Sequence, residues 1–470
     1  MNSLTRFLII MGGMGVYISK PFIAKTVSCL GGLGTVSGVA PERILARILQ
    51  KGDAGGHYRR ALAHFPYPEI AQIVLDKYYI EEGNPKGKTL YAVPVFTVNP
   101  SRILIALSIC ANYAFVWLAK EGHKNPISIN YLEKIQMPHL YAITGAMLAE
   151  VDYITMGAGI PLSIPKVMRD IADGKEASYE INVIGTNIKS CTMRFDPEKF
   201  FGRKLPKMKV PGFVPIIASN LLANIYLKKL PVGSIQGFVI EEPIAGGHNA
   251  PPRTRSTNDL GEAVRIYGAD DLVTYQKIAA TGIPFWIGGG YASPEKLKLA
   301  LSVGASGIQV GSIFALCEES GMDSKIRRLA CKLGFEDRLR IRTDTRISPT
   351  GFPFKVVSLE DSLSEQIVYE SRNRICNQGA LVSLYEKPDG NIGYRCAAEP
   401  VQDYLRKGGK VEDTIGRGCL CNGLIATAGL GGPLEAALVT LGDDHRFLCY
   451  LMTDANSTYG AADVFKYLLG

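Results

Sequence analysis

Short apolar runs of β type alternate with stretches of helical period through about the first 335 residues. "RFLIIMGG" (6–13) predicts a strand ending in glycines, and "KPFIAKTVSCLG" (20–31) a helix after it. "GTVSGV" (34–39) and "PERILARILQKG" (41–52) repeat the unit. A polar, tyrosine-rich helical stretch follows at 58–82, then a strand at "AVPVFTV" (92–98) and an apolar helix over 101–120. "PISINYL" (126–132), "VDYITMGAG" (151–159), "FVPIIAS" (213–219), "IQGFVIEE" (235–242), "IPFWIGGG" (283–290) and "GIQVGS" (307–312) predict further strands. "PHLYAITGAMLAE" (138–150), "IPKVMRDIADG" (164–174) and "SPEKLKLALSVGA" (293–305) are helices among them. "YEINVIG" (179–185) and "SCTMRFD" (190–196) form a small β excursion. Repeated β–α units imply a parallel sheet with helices outside. Setting aside "AVPVFTV" and the β excursion that begins at "YEINVIG" as insertions leaves eight strands, the number that closes a (β/α)8 barrel, with an open doubly wound sheet as the alternative.

The position of the glycines favours the barrel. They cluster late, at 288–290 and 311, where barrels place a phosphate site; a doubly wound fold places its glycines after the first strand. "GGMG" (12–15) is not a G-x-G-x-x-G fingerprint, and no Walker A pattern occurs. The expected class is therefore α/β, a (β/α)8 TIM barrel with insertions and a mixed C-terminal extension. The barrel is expected over 1–335, with insertions at about 55–100 and 176–205. Beyond 336 the chain becomes basic and Pro/Gly-punctuated ("RLRIRTDTRISPTGFPFKVV"), predicting an extension over 336–470 that packs on the barrel.

Composition changes the picture little: 47% hydrophobic and 20% charged residues suit a globular protein. A net charge of +8 permits an anionic ligand, but no Lys/Arg stripe with interleaved aromatics predicts nucleic-acid binding. The N-terminus imitates a signal peptide, yet no A-x-A site follows and Lys20 and Lys25 interrupt the approach to Cys29. The apolar run 103–119 contains Asn112 and falls short of the ~20 residues of a membrane span, so a buried helix is expected and no membrane role. Cys29, Cys110, Cys191 and Cys317 are scattered as in a reducing cytoplasm, the expected compartment. Cys376, Cys396, Cys419 and Cys421 lie closer together, but a C-x-C with two distant partners is a weak metal signal; buried thiols and no metal are expected.

Three features carry chemistry. "FWIGGGYASPEKL" places glycines before a helix with Ser293 as N-cap and Pro294 at its first position, and "GIQVGSIF" repeats the turn at Gly311 and Ser312. Backbone N–H groups at such helix starts attract phosphate. Gly12 and Gly13 end the first strand where a flat ring could lie, with Met14 placed to pack on it. "EEPIAGGHNAPPR" (241–253) delivers His248 to the same carboxyl end, where imidazole could remove a proton from an activated carbon. Glu241 and Glu242 at that strand end either bind ligand or face solvent.

These segments resemble the nitronate monooxygenase (2-nitropropane dioxygenase-like) group of flavin-dependent barrels, related to flavin-type enoyl reductases. The resemblance rests on "IIMGGMG", "VSGVAPERIL", "INYLEKI", "GAMLAEVDYITMGAGIP", "AGGHNAPPR" and "IGGGYASPEKLKLALSVGASGIQVGS". It covers about 7–335 and, more loosely, "SPTGFPFKVV". It implies bound FMN and His248 as general base. It places the cofactor against Gly13, Met14, Asn130 (Asn99 is the weaker match), Glu241, Gly246, Gly289, Gly290, Gln309, Gly311 and Ser312. The segment departs from the group in two respects: Glu241 replaces a glutamine and Ile244 a glutamate, and "NAPPR" after His248 replaces the more usual basic or small residue. The implied partners are a small substrate, a nitronate or other planar anion, with O2 or NAD(P)H; a homo-oligomer is compatible. An NAD(P)H-dependent enoyl or quinone reductase on the same site is the alternative, and a non-catalytic flavin-binding or assembly protein a third.

Overall fold

The computed structural model describes residues 3–85, 90–185, 187–253, 255–257, 263–265, 267–432 and 436–470. Eight parallel strands form the centre: β1 (Ile9–Met11), β2 (Gly34–Ser37), β3 (Ile127–Leu132), β4 (Tyr153–Gly157), β5 (Gly212–Ile217), β6 (Phe238–Glu241), β7 (Phe285–Gly288) and β8 (Gly307–Val310). Their hydrogen-bonded order, β1-β8-β7-β6-β5-β4-β3-β2, runs once around a ring. Leu33 closes it, accepting from Met11 N–H and donating to Ile9 O, both at 3.0 Å. These are the eight strands expected, and the chain is a (β/α)8 barrel.

Alternation along the strands sorts two cores. One set (Ile10, Val214, Val239, Trp286) packs with Leu4, Phe7 and Tyr153 as a separate cluster that fills the barrel. Trp286 Nε1 donates to Phe7 O at 2.7 Å, so burying the indole leaves no donor unpaired. The other set (Ile9, Phe213, Phe238, Ile240, Phe285, Ile287) meets the surrounding helices. The helix Arg102–Lys120 is long and apolar enough to cross a membrane by length and composition, yet 78% of its most apolar window is buried inside the fold. Its Asn112 is satisfied there: Nδ2 donates to Ser108 O and Oδ1 accepts from Tyr131 Oη.

One expected element is absent. Residues 92–98 form no strand. Pro94 removes a ladder donor, and the carbonyls of Val93 and Pro94 accept instead from the buried guanidinium of Arg43, at 2.6 and 2.7 Å. Arg43 also donates to Gln378 O at 3.0 Å, joining this insertion to the C-terminal residues. The β excursion is a hairpin, Ala177–Ile184 with Ser190–Phe195, and it gains two partners from far along the chain. Strand Ser383–Glu386 pairs in parallel with it, and Ile392–Arg395 follows, making a four-stranded sheet. A further pair, Arg340–Asp344 with Phe354–Ser358, reaches the barrel mouth, where Phe354 bridges to His248.

Candidate active site

A cavity of about 1830 Å³, open mouth included, lies at the carboxyl ends of the strands. Gly13, Met14, Asn130, Glu241, Gly246, His248, Gly289, Gly290, Gln309, Gly311 and Ser312 all line it, so the structure brings every expected residue to one place. Asn99, the weaker match, is exposed in the loop before helix 102–120 and lies elsewhere. At the cavity's edge Asn130, on β3, is almost fully buried, and its Oδ1 has no hydrogen-bond partner. Gln309 Nε2, on β8, is likewise buried and unpaired. Leaving such an atom unmet costs about 1–3 kcal/mol, and here both lie on residues that line one cavity, where a ligand could meet them. Gly13 presses on the Asn130 side chain: a Cβ there would stand 2.1 Å from Asn130 Cβ. Any side chain at position 13 would displace the amide.

The glycine turns are built as expected. Gly289 and Gly290 take φ of 92° and 69°, a region side chains avoid. Ser293 caps the helix Pro294–Ser302 by accepting from Lys296 N–H at 3.2 Å. Ser312 differs from the expectation in one respect. Its hydroxyl already accepts from Gly442 N–H at 2.8 Å, so the C-terminal residues close this side of the cavity. The same segment holds the histidine loop: Thr440 Oγ1 accepts from Gly247 N–H at 2.8 Å, and Ile244 O accepts from Asp443 N–H at 3.0 Å. Lys355 and Asp443 pair at 2.5 Å, and Asp444, on the cavity wall, is neutralised by Arg446 at 2.7 Å.

His248 is fixed from the extension. Its Nε2 lies 2.7 Å from the hydroxyl of the fully buried Ser348, which in turn lies 2.7 Å from Thr350 Oγ1. Phe354 meets the ring edge-on at 4.9 Å. Burial, and then the nearby Lys134 ammonium, push the imidazole down to about 3, so it is neutral. Burial pushes Glu241 the other way, up to about 7, against the pull of Lys134. Lys134 itself falls to about 8 through burial and stacks over the Phe352 ring at 3.5 Å. The site thus holds a neutral imidazole, a carboxyl that changes charge near neutrality and a weakened ammonium.

Ser348, Thr350, Phe354, Lys134, Thr440 and Gly442 were not singled out from sequence. "SPTGFPFKVV" carried a signal for the first three, since it shares the resemblance, but nothing in it announced a hydrogen bond to His248. Ala40 and Ala158, both on the cavity wall, hold left-handed φ values of 53° and 58°. Non-glycine residues adopt this region at a cost and concentrate where ligands bind.

The comparisons agree with the fold. No family model matches the chain. FabK from Thermotoga maritima superposes over 99% of this chain and 92% of its own, with a TM-score of 0.50 and 14% identity. The fold implied by the nitronate monooxygenase resemblance is thus the fold observed, shared with FabK. Nitroalkane oxidase from Streptomyces ansochromogenes covers 99% of this chain and 96% of its own at a TM-score of 0.47 and 14% identity, too low to add to this. In sequence, the "(3aS,4S,5R,7aS)-5-hydroxy-7a-methyl-1-oxo-octahydro-1H-indene-4-carboxyl-CoA dehydrogenase" of Rhodococcus jostii (strain RHA1) is 22% identical over 190 residues. That match takes in 40% of this chain and spans less than half the relative's length, 46%.

Proposed function

We propose that this chain is an FMN-dependent oxidoreductase of the nitronate monooxygenase group, oxidising a nitronate or similar carbon acid in a reducing cytoplasm. The carrying observation is the cavity's pair of orphaned amides. Asn130 offers an acceptor and Gln309 a donor beside a floor of glycines, a set that suits the edge of a planar heterocycle. The turns at Gly289–Gly290 and Gly311–Ser312 suit its phosphate. FMN, when bound, would supply an acceptor for two electrons that O2 then regenerates.

The residues around it supply the rest. His248 is neutral and can accept a proton from substrate carbon. Its basicity is low while the cavity holds no anion, and an anionic substrate beside Lys134 raises it towards neutrality. Ser348 holds the imidazole Nε2 and so fixes which way the ring presents its second nitrogen. Phe354 packs on the imidazole, and Thr440 holds the loop's backbone at Gly247. Glu241, where the group has glutamine, places a titrating carboxyl on the wall, so cofactor electronics should follow pH in a way the group's amide would not allow.

The test is a purified yellow protein whose bound FMN is bleached anaerobically by nitronates. His248→Ala should keep the colour and lose turnover by about 10²–10⁴-fold. Colourless protein that takes up no added FMN overturns the proposal. A second activity, reduction of an enoyl or quinone substrate by NAD(P)H, is favoured by the roomy open mouth. Bleaching by NAD(P)H but not by nitronates would select it.

A further inference from the structure

A second, smaller cavity adjoins the first, and among the described residues Glu241 alone lines both. The smaller cavity, about 330 Å³ with its open mouth included, lies between the ends of β5 and β6, where Ala218 follows one strand and Glu241 finishes the other. Ala250, Pro251 and Arg253 on its wall are exposed, so it reaches the surface. That wall is tied in place. Tyr267 Oη donates to Ala250 O at 2.7 Å, and Arg253 N–H donates to Asp271 Oδ1 at 2.8 Å.

The smaller cavity is built to hold water. Asn249 lines it and is 3% exposed; its Nδ2 donates to Ala245 O at 3.0 Å, but its Oδ1 has no partner. Ordered water meets such a buried acceptor where there is room and further polar groups stand by. Glu242, Asp271 and Glu241 supply those groups. Glu242 is held by Tyr275, whose hydroxyl donates to Oε1 at 2.6 Å and lies 3.0 Å from Tyr291 Oη. The Glu241 carboxyl has no hydrogen-bond partner among the described residues, which leaves it open to water from either cavity.

We propose that Glu241 is a proton relay, passing protons from the main cavity to water in the smaller one and so to solvent. The inference rests on the proposed reaction, in which His248 takes a proton from substrate carbon. That proton must leave before the next turnover, and a substrate seated in the mouth blocks the direct way out. The imidazolium gives it, through one water, to the Glu241 carboxylate. The carboxylic acid then gives it to water in the smaller cavity, and both groups are restored. One proton crosses and no electrons move. The neighbours of the carboxyl suit this role. Lys134, in the loop after β3, draws it towards the charged form against burial, so that it takes up and releases a proton at about pH 7. Glu242, Asp271 and Tyr267 stand on the outlet side, with Arg253 at the rim. The glutamine usual in the group at this position could carry no proton across.

The experiment measures nitronate turnover by the flavin-loaded chain at rising imidazole concentration. Glu241→Gln should lower kcat by about 10²-fold with little change in KM, and imidazole should restore it. Glu241→Asp should retain more activity than Glu241→Gln. Ala218→Leu, which fills the outlet and keeps the carboxyl, should also slow turnover. A Glu241→Gln variant with the wild-type kcat and no response to imidazole overturns the relay. So does slowing by Tyr275→Phe in its place, which would route the proton through Tyr291, Tyr275 and Glu242. If nitronates leave the wild-type flavin unbleached, the proposed reaction fails, and the relay is decided on the chain without substrate. There, a pH jump is followed by the infrared carboxyl band that Glu241→Gln removes. The band should respond several-fold more slowly in Ala218→Leu than in the wild type, and equal rates overturn the outlet.

Discussion

Burial moves the two titratable residues at the end of β6 in opposite directions, and each makes stability depend on pH with its own sign. His248 is neutral in the fold down to about 3, whereas the unfolded chain takes up that proton near 6.5. Its contribution is complete above 6.5 and is lost as pH falls from there towards 3. His248→Asn should therefore lose less stability than the wild type between pH 7 and pH 4, read as urea midpoints. Glu241 stays protonated up to about 7, while the unfolded chain ionises near 4.5. The fold is penalised as pH rises from 4.5 through 7, so Glu241→Gln should gain on the wild type at pH 8 and match it at pH 4. Equal midpoints at both pH values would show that the carboxyl is well solvated. At this scale the sequence shows which residues are present but not their neighbours. His248 stood out because a strand, two glycines and an imidazole coincide. Ser348, 100 residues later, has no local pattern that reveals its hydroxyl against that ring.

The elements that matter most at the mouth are turns with no room to spare. Gly13→Ala would drive a methyl into Asn130 Cβ. About 1–3 kcal/mol of overpacking and a displaced amide should follow, measurable as a lower Tm and weaker flavin retention. Thr440→Val keeps the shape but leaves Gly247 N–H without its acceptor. A loss of about 1–3 kcal/mol is expected, with turnover falling more than flavin affinity, because the loop it frees carries His248. The barrel strands were legible because a strand buried on both faces leaves an apolar run closed by glycine. The segment 92–98 has the same composition and is not a strand. Its backbone partners are a guanidinium and a tyrosine, Arg43 and Tyr394, whose roles only the folded chain reveals.

Over the whole molecule, the sheet that unites 177–195 with 383–395 means the extension is woven into the barrel's own insertion. Calorimetry should show one transition, with barrel and extension melting together. A chain ended at residue 335 should fail to hold flavin, since it lacks Ser348, Phe354 and the 440–444 segment. Retained flavin in that fragment would show that the barrel alone makes the site. Periodicity predicted that a C-terminal extension exists but not that it completes the cavity, because its contacts are between segments hundreds of residues apart.

The hydrogen bond from Gly442 to Ser312 has a consequence in time. Residues 440–447 leave the ribosome after every strand of the barrel. A nascent chain can therefore close its ring while the cavity still lacks a wall. Capture of any ligand that needs that wall must wait until synthesis has passed this segment, so the protein matures from a cup missing one side to a fully walled, open-mouthed pocket.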